Sequence, residues 1–254
     1  MIEIKDVHKS FSKLKVLQGL NLVIVDGETI VILGRSGEGK SVLLKHILGL
    51  LKPDSGEVLV DGVNIPALRG RSRYHATKNM GMLFQNAALF DSMNVADNTA
   101  FYMHHHPDLE TGVMLTKGEI NDRVDEALAM VNLKGTQKKM PSDLSGGMKK
   151  RAALARLIVY RPKILLYDEP TTGLDPITAM HINELIIKIQ HELEATSIVV
   201  THDIISALKV GDRLALQDGG VITHLADKES FVAIDDPVIQ EFLHNAQVSE
   251  GASL

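Results

Sequence analysis

Gly34-Arg35-Ser36-Gly37-Glu38-Gly39-Lys40-Ser41 matches G-x-x-x-x-G-K-S, the pattern of a phosphate-binding loop. Residues 28–33 before it have the composition of a buried β-strand, and residues 42–48 after it have that of a helix. A loop in this position points successive backbone N–H groups and a helix N-terminus at one anion. The pattern assigns Lys40 to the β- and γ-phosphates of a nucleotide and the Ser41 hydroxyl to Mg²⁺. The flanking strand and helix disfavour the alternative, a glycine-rich turn with an incidental lysine.

The composition is that of an ordinary globular protein. Of the 254 residues, 44% are hydrophobic and 23% are charged. The net charge of −5 argues against a dedicated nucleic-acid binder, which usually carries a basic face. The sequence has no cysteine, which excludes disulfides and fits a reducing cytoplasm. No apolar run approaches the roughly 20 residues of a membrane-spanning helix, so a role at a membrane would require a spanning partner.

A second buried strand, residues 164–167, ends in two acids, Asp168 and Glu169. The pattern of a Walker B strand places Asp168 where it holds Mg²⁺ through water and Glu169 where it polarises an attacking water. If the two carboxylates had no such role, their mutual repulsion at the end of a buried strand would serve no purpose.

Three further positions are candidates, each with a structural alternative. Ser145-Gly146-Gly147 precedes a helix predicted over residues 149–160, where it is either a second anion site or an N-cap with a flexible lead. His202 follows an apolar strand, residues 197–201, at the edge where open α/β sheets bind ligands, and the alternative for a lone histidine is a structural role. Gln85 ends a strand at residues 80–84 and either contacts Mg²⁺ or the attacking water, or is merely exposed.

The outer parts of the chain are predicted as a sheet and a helical insertion. Short alternating segments at 2–7, 17–25 and 57–61 predict antiparallel strands, with Phe11 in the first loop. Phe11, with Val16 beneath it, either stacks on adenine or fills the loop as a hydrophobic side chain. Helical spacing appears at 94–102 and 119–131, and the intervening His104-His105-His106 is predicted to lie in a solvated loop rather than to bind metal.

Together these motifs resemble those of ATP-binding-cassette (ABC) ATPase subunits. The phosphate-binding loop, Gln85, LSGGM at 144–148, the acidic strand, GLDP at 173–176 and His202 follow that family's order and spacing over residues 1–225. The resemblance implies an α/β P-loop NTPase (RecA-like) core with an antiparallel β edge sheet and an inserted α-helical subdomain. The implied single domain, 1–254, divides into a core at 1–88 and 159–225, a helical subdomain at 89–158 and a tail at 226–254.

The resemblance also implies the ligands, ATP and Mg²⁺, and a role for each residue. Glu169, His202 and Gln85 would be catalytic, and Mg²⁺ would be held by Ser41, Gln85 and Asp168. ATP would contact Phe11, Val16 and residues 34–42, ending at Val42. Two ATP molecules would be buried between two head-to-tail copies, because each site would use the phosphate-binding loop of one copy and four residues of the other. Those residues are Ser145, Gly146, Gly147 and Asp175.

Several segments resemble a subgroup, the ATPases of Mce-type transporters, including the Mla phospholipid systems. The segments are 82–95, 144–156, 175–178 and 235–243, and Met148 stands where the signature usually ends in Gln. This resemblance implies a lipid cargo and a position at the cytoplasmic face of the inner membrane. It also implies an integral permease docking near Leu89, Phe90 and Met93, an Mce-domain substrate-binding protein, and no direct nucleic-acid contact. For the docking residues, the alternative is a place in the core of the helical insertion.

Other functions remain open at this point. A cassette ATPase for another substrate would carry the same motifs. Non-transport cassettes that act on nucleic acid or ribosomes usually carry two cassettes or long coiled coils, whereas this chain has one cassette and no sustained heptad. A small-molecule P-loop kinase would leave residues 144–148 and His202 unexplained.

Overall fold

The computed structural model describes residues 1–251, with side chains through Ala246. The chain divides into two compact units, Met1–Thr77 with Thr196–Leu254 (unit 1) and Lys78–Ala195 (unit 2). The strands are β1 (Ile2–Phe11), β2 (Leu14–Ile24), β3 (Thr29–Leu33), β4 (Ser55–Val60), β5 (Val63–Asn64), β6 (Met80–Leu83), β7 (Ile164–Asp168), β8 (Thr196–Thr201), β9 (Arg213–Asp218) and β10 (Val221–Asp227). The helices are α1 (Lys40–Ile47), α2 (Gly70–Thr77), α3 (Val95–His105), α4 (Lys117–Met130), α5 (Gly146–Ile158), α6 (Pro176–Leu193), α7 (Ile204–Val210), α8 (Lys228–Val232) and α9 (Pro237–Gly251).

Unit 1 contains four adjacent strands in the order β10-β9-β3-β8. β3 is parallel to β8 and to β9, and its last residue, Leu33, pairs with Thr201 and Leu216. Every residue of β3 and β8 is buried, as expected for apolar strands in the interior of a parallel sheet. The segments that follow β3 and β8 therefore leave the sheet at the same edge, which places the phosphate-binding loop and His202 on one side.

The predicted antiparallel sheet is present in unit 1, with strand order β2-β1-β4-β5. Gly56 has φ +87°, and a Cβ there would lie 2.2 Å from the backbone oxygen of Asp6, so glycine is required where β4 approaches β1. The prediction that Phe11 lies in a loop is wrong. β1 continues to Phe11, which pairs with Leu14 of β2.

Unit 2 combines the parallel pair β6 and β7 with the packed helices α3, α4 and α5. The apolar residues at helical spacing over 119–131 are buried, namely Ile120, Val124 and Leu128 in α4 and Val131 at its C-cap. α4 begins with a capping box in which Thr116 and Glu119 satisfy each other's backbone N–H groups. The predicted helical insertion is therefore present, while the subdomain boundaries at 88/89 and 158/159 stay predictions.

Several predicted ends differ from the structure. The loop predicted at His104-His105-His106 is wrong for the first two residues, because α3 runs through His105. Aromatic contacts stabilise this extra turn: the rings of Phe101 and His105 lie 4.9 Å apart, and those of Tyr102 and His106 stack at 4.5 Å. α5 begins three residues earlier than predicted, and residues 252–254 of the predicted tail lie outside the described residues. Among residues 1–251, no helix has the length and apolar character to cross a bilayer.

Candidate functional site

The phosphate-binding loop of unit 1 joins β3 to α1. Gly37 and Gly39 adopt φ +90° and +92°, a region that side chains with a Cβ rarely occupy. Lys40 is buried, and its Nζ donates to the backbone oxygens of Gly34 at 2.7 Å and Arg35 at 2.9 Å. The N-cap of α1 is Gly39, which has no side chain that could cap the helix, and the first turn carries no acid. The loop thus presents a helix N-terminus and a fixed ammonium group, which fits a chain of phosphates.

Gln217 of β9 supports this loop, a role that the sequence analysis missed. Its Nε2 donates to the backbone oxygen of Glu38 at 2.6 Å, and the side chain is 1% exposed. Its own backbone oxygen would lie 2.5 Å from a Cβ on Gly34, so that glycine is required for close approach. The available signal was a glutamine directly after the apolar run at residues 214–216 of β9, since a buried amide needs a polar partner.

Replacing Gly39 with alanine is expected to weaken ATP binding by about tenfold or more, since roughly 1.4 kcal/mol of loop strain is a factor of ten. The new Cβ would lie 2.4 Å from Cγ1 of Val16 on a backbone with φ +92°. Gly27→Ala is the matched control, because Gly27 has φ +79° but nothing within 4 Å of a Cβ. Calorimetric titration with ATP should separate the two variants, and equal affinities would contradict the expectation.

The two residues predicted to contact adenine differ in their surroundings. Val16 lies in β2 against the loop, at the position that a Cβ on Gly39 would meet. Phe11 is 45% exposed at the end of β1, with Lys9 Nζ 5.5 Å from its ring centroid. Adenine stacking by Phe11 stays a prediction.

His202 lies directly after β8 and is exposed. It lines a cleft of about 500 Å³ together with Arg35 and Ser36 of the phosphate-binding loop. Phe242 of α9 also lines this cleft, and Glu241 of the same helix forms an ion pair with Arg35. The structure therefore brings His202 and the loop to one cleft, as the strand order predicts, while its catalytic role stays a prediction.

The acidic pair of unit 2 lies at the end of β7, where Asp168 and Glu169 are 6% and 8% exposed. Because β6 and β7 are parallel, with Leu83 paired to Tyr167, Gln85 leaves the sheet at the same edge. Glu169 adopts φ +48°, unusual for a residue with a side chain, and its Oε2 accepts a 2.9 Å hydrogen bond from the Thr172 hydroxyl. The carboxylate is thus oriented by a neighbour within the unit.

Lys150 of α5 is the second residue that the sequence analysis missed. It is 5% exposed, and its Nζ donates to the backbone oxygens of Gln85 and of Glu169, the latter at 3.3 Å. Burial lowers the pKa of the Lys150 ammonium, while Asp168 and Glu169 act to raise it. The sequence signal for a buried Lys150 was its position on the helix. It precedes the buried Ala153 and Leu154 by three and four residues, which places it on the same face.

The Ser-Gly-Gly corner of unit 2 opens α5. Ser145 is the N-cap, with Oγ accepting from Met148 N at 3.3 Å, and Ser145 and Gly146 are exposed. Gly147 packs on the start of α6, since a Cβ there would lie 2.5 Å from Thr178 Cγ2. Asp175 caps α6, and hydrogen bonds from Thr178 lower the pKa of its carboxyl group. The corner and Asp175 therefore lie close together on the surface of unit 2.

The predicted docking residues lie near a cleft of about 320 Å³ in unit 2. Phe90 is 42% exposed and lines this cleft, with the Arg156 guanidinium 5.6 Å from its ring centroid. Leu89 and Met93 are half-buried and are not among the lining residues. The alternative of a core position is thus wrong for Phe90. We call this cleft, lined by Met82, Phe84, Ala88, Phe90, Phe101, Tyr102, Ala153, Arg156, Leu157 and Tyr160, the aromatic groove.

The candidate magnesium ligands are Ser41, Gln85 and Asp168. All three offer oxygen atoms, the donor type that Mg²⁺ takes, so their chemistry fits this ion. Over residues 1–251 there is no cluster of three or more His, Asp or Glu side chains that would hold a metal ion.

Residues 17–172 match the family of ABC transporters, and the chain belongs to that family. It is an ATP-binding ATPase of the P-loop NTPase fold class, as predicted. The chain is 39% identical over 247 residues to the probable ribonucleotide transport ATP-binding protein mkl of Mycobacterium tuberculosis, covering 97% of this chain and 67% of the relative. It is 37% identical over 244 residues to the intermembrane phospholipid transport system ATP-binding protein MlaF of Escherichia coli K12, covering 96% and 88%.

One further relative and one solved structure are also similar to this chain. Protein TRIGALACTOSYLDIACYLGLYCEROL 3, chloroplastic, of Arabidopsis thaliana is 36% identical over 258 residues, covering 95% of this chain and 73% of the relative. A solved dimeric ATP-binding cassette in a post-hydrolysis state, bound to ADP and phosphate, matches with a TM-score of 0.80 and 30% identity. That match covers 90% of this chain and 99% of the other.

Proposed function

We propose that this chain is the ATPase subunit of an Mce/Mla-type transporter that moves phospholipids, attached to the cytoplasmic face of the inner membrane through a permease. The observation that carries the proposal is the similarity to MlaF, which extends over 96% of this chain and 88% of that protein. The Arabidopsis relative has a galactolipid in its name, which agrees with a lipid cargo. A second candidate cargo is a ribonucleotide, which the name of the mycobacterial relatives favours.

The proposed working form is a head-to-tail pair with two ATP molecules between the copies. In each site, residues 34–42 of one copy hold the phosphates, and Ser145, Gly146, Gly147 and Asp175 of the other copy complete the site. Support comes from the surface of unit 2, where Ser145, Gly146 and Asp175 are exposed beside the apolar Ile177, which is 66% exposed. Because neither half alone surrounds the γ-phosphate, ATP binding would draw the two copies together.

In the proposed hydrolysis, Glu169 is the general base that accepts a proton from the attacking water. His202 and Gln85 contact the γ-phosphate region, and Lys40 neutralises charge on the β- and γ-phosphates. Phe11 and Val16 hold the adenine. Ser41, Gln85 and Asp168 would hold Mg²⁺, which supplies charge neutralisation between the phosphates when bound.

The aromatic groove is the proposed docking surface for the permease, with Leu89 and Met93 at its border. It combines exposed aromatic area with one guanidinium, the composition of many partner-binding sites. An Mce-domain protein that binds the lipid would complete the assembly.

Purification of the tagged full-length chain from membranes tests the function. The expected result is co-purification with an integral permease and an Mce-domain protein, with phospholipid found in the complex by mass spectrometry. A bound ribonucleotide in place of lipid would favour the second cargo. Recovery of the chain without any membrane protein would contradict a transport role.

Replacing Phe90 with aspartate is expected to release most of the chain from membranes while leaving ATP affinity within about twofold. The new carboxylate lies where the Phe90 ring met Arg156, so it can pair with that guanidinium and the fold should persist. Val113→Asp is the matched control, because Val113 is 64% exposed and lies outside the groove. Fractionation of lysates should place the first variant in the supernatant and the second with membranes. Equal membrane retention would contradict the docking assignment.

A further inference from the structure

One ammonium group in unit 2 holds the backbone of two segments that are far apart in sequence. Lys150 Nζ donates to the backbone oxygens of Gln85 and Glu169. The side chain is 5% exposed, so these hydrogen bonds are shielded from water. A buried lysine costs free energy through desolvation, and that cost is offset only where the charge is well satisfied. The position of Lys150 thus calls for an explanation beyond packing.

The backbone at Glu169 needs such support. Its φ of +48° is a conformation that residues with a Cβ adopt only when their surroundings fix them. Thr172 orients the carboxylate, but the direction in which the side chain leaves the backbone depends on the peptide that Lys150 binds. The Glu169 oxygen also accepts from Thr172 N at 3.3 Å, so loss of the ammonium would remove one of its hydrogen bonds and allow the peptide to shift, which would move the carboxylate.

The segment after Gln85 is held from the same helix. Arg156 donates to the backbone oxygens of Ala87 at 3.2 Å and Ala88 at 2.7 Å, and both alanines have positive φ, +60° and +51°. Two cations of α5 therefore fix the path of residues 85–88, which leads from the edge of the sheet to Phe90 in the aromatic groove. The N-terminus of this helix carries the Ser-Gly-Gly corner.

We infer that Lys150 is a positioning residue for ATP hydrolysis, which holds Glu169 and Gln85 in register with each other and with α5. The inference rests on the proposed roles of Glu169 and Gln85. In this arrangement, a partner that shifts residues 85–90 at the aromatic groove also shifts the peptide of Glu169, because one ammonium binds both. Lys150 is assigned no contact with substrate and is inferred to act through these two backbones.

Lys150→Met tests the inference, because methionine keeps the length of the side chain and removes its charge and donors. Lys149→Met is the control, as Lys149 is the exposed neighbour on the same helix. Loss of hydrogen bonds from a charged donor predicts a kcat lower by about tenfold or more, with KM for ATP changed less than about twofold. Lys150→Arg, which keeps the charge, should restore part of kcat, and the control should match the wild type.

A double-variant cycle separates positioning from a merely structural effect. The effect of Lys150→Met is measured by single-turnover hydrolysis in a chain that already carries Glu169→Gln. If Lys150 acts through the Glu169 carboxylate, the added substitution should lower the rate by no more than about twofold. A wild-type kcat in Lys150→Met, or the full loss repeated on top of Glu169→Gln, would overturn the inference. If the methionine variant does not fold, the cycle is measured with Lys150→Arg in its place, and a loss of kcat that is repeated in full on top of Glu169→Gln would overturn the inference equally. Normal turnover by Glu169→Gln alone would instead refute the proposed role of Glu169.

Discussion

Glu169→Gln is expected to lose ATP turnover by about a factor of 10² to 10⁴, the range that a general base contributes. The amide has the shape of the carboxylate and its oxygen can still accept from the Thr172 hydroxyl, so the fold should be kept. It cannot accept a proton from water, so ATP should bind and remain uncleaved. Steady-state hydrolysis and equilibrium ATP binding, measured on the same preparation, check both halves of the expectation.

Glu194→Gln is a closely matched control for this variant. Glu194 has the same φ of +48° in the same unit, but it is exposed at the end of α6. It should hydrolyse ATP at the wild-type rate. Turnover in Glu169→Gln comparable with that of the control would show that another group activates the water.

Lys40→Met is expected to weaken ATP binding by about 100-fold, since roughly 2.7 kcal/mol is within the range for hydrogen bonds of a charged donor. Two contributions are lost together. The ammonium no longer offsets the charge of the phosphates, and the loop loses the donor that holds the backbone oxygens of Gly34 and Arg35. Calorimetric titration with ATP measures the change.

Lys45→Met controls for the loss of a positive charge from α1, because Lys45 is exposed on the same helix. It should bind ATP with wild-type affinity. If Lys40→Met bound ATP as tightly as this control, the assignment of the phosphate-binding loop would be wrong.

The sequence was most informative where a motif coincides with a change of secondary structure. The apolar run before Gly34 and the two acids after residue 167 both lie at strand ends, and the order of buried strands then brings Lys40 and His202 to one edge. Element ends were less predictable. α3 continues to His105, where the Phe101 and His105 rings lie 4.9 Å apart and Tyr102 stacks on the C-cap His106, whereas a run of histidines by itself does not indicate a helix.

Sequence motifs did not reveal the two supporting residues, Gln217 and Lys150. Gln217 and Lys150 act by donating to backbone oxygens of Glu38, Gln85 and Glu169, which are distant in sequence. Every residue has a backbone oxygen, so the amino-acid type of the accepting residue does not indicate the hydrogen bond. A pattern of side chains therefore cannot reveal the pair. Only the unusual burial of a polar residue hints at it, and burial itself depends on the fold.

The structure of the Glu169→Gln variant with ATP and Mg²⁺ is the decisive test of an ATP site shared between two copies. We expect two copies with two ATP molecules between them. In each site, Ser145 of one copy should lie within hydrogen-bonding distance of the γ-phosphate that Lys40 of the other copy binds. An ATP molecule enclosed by a single copy, with residues 145–147 remote from every phosphate, would contradict the shared site and the coupling of ATP binding to association.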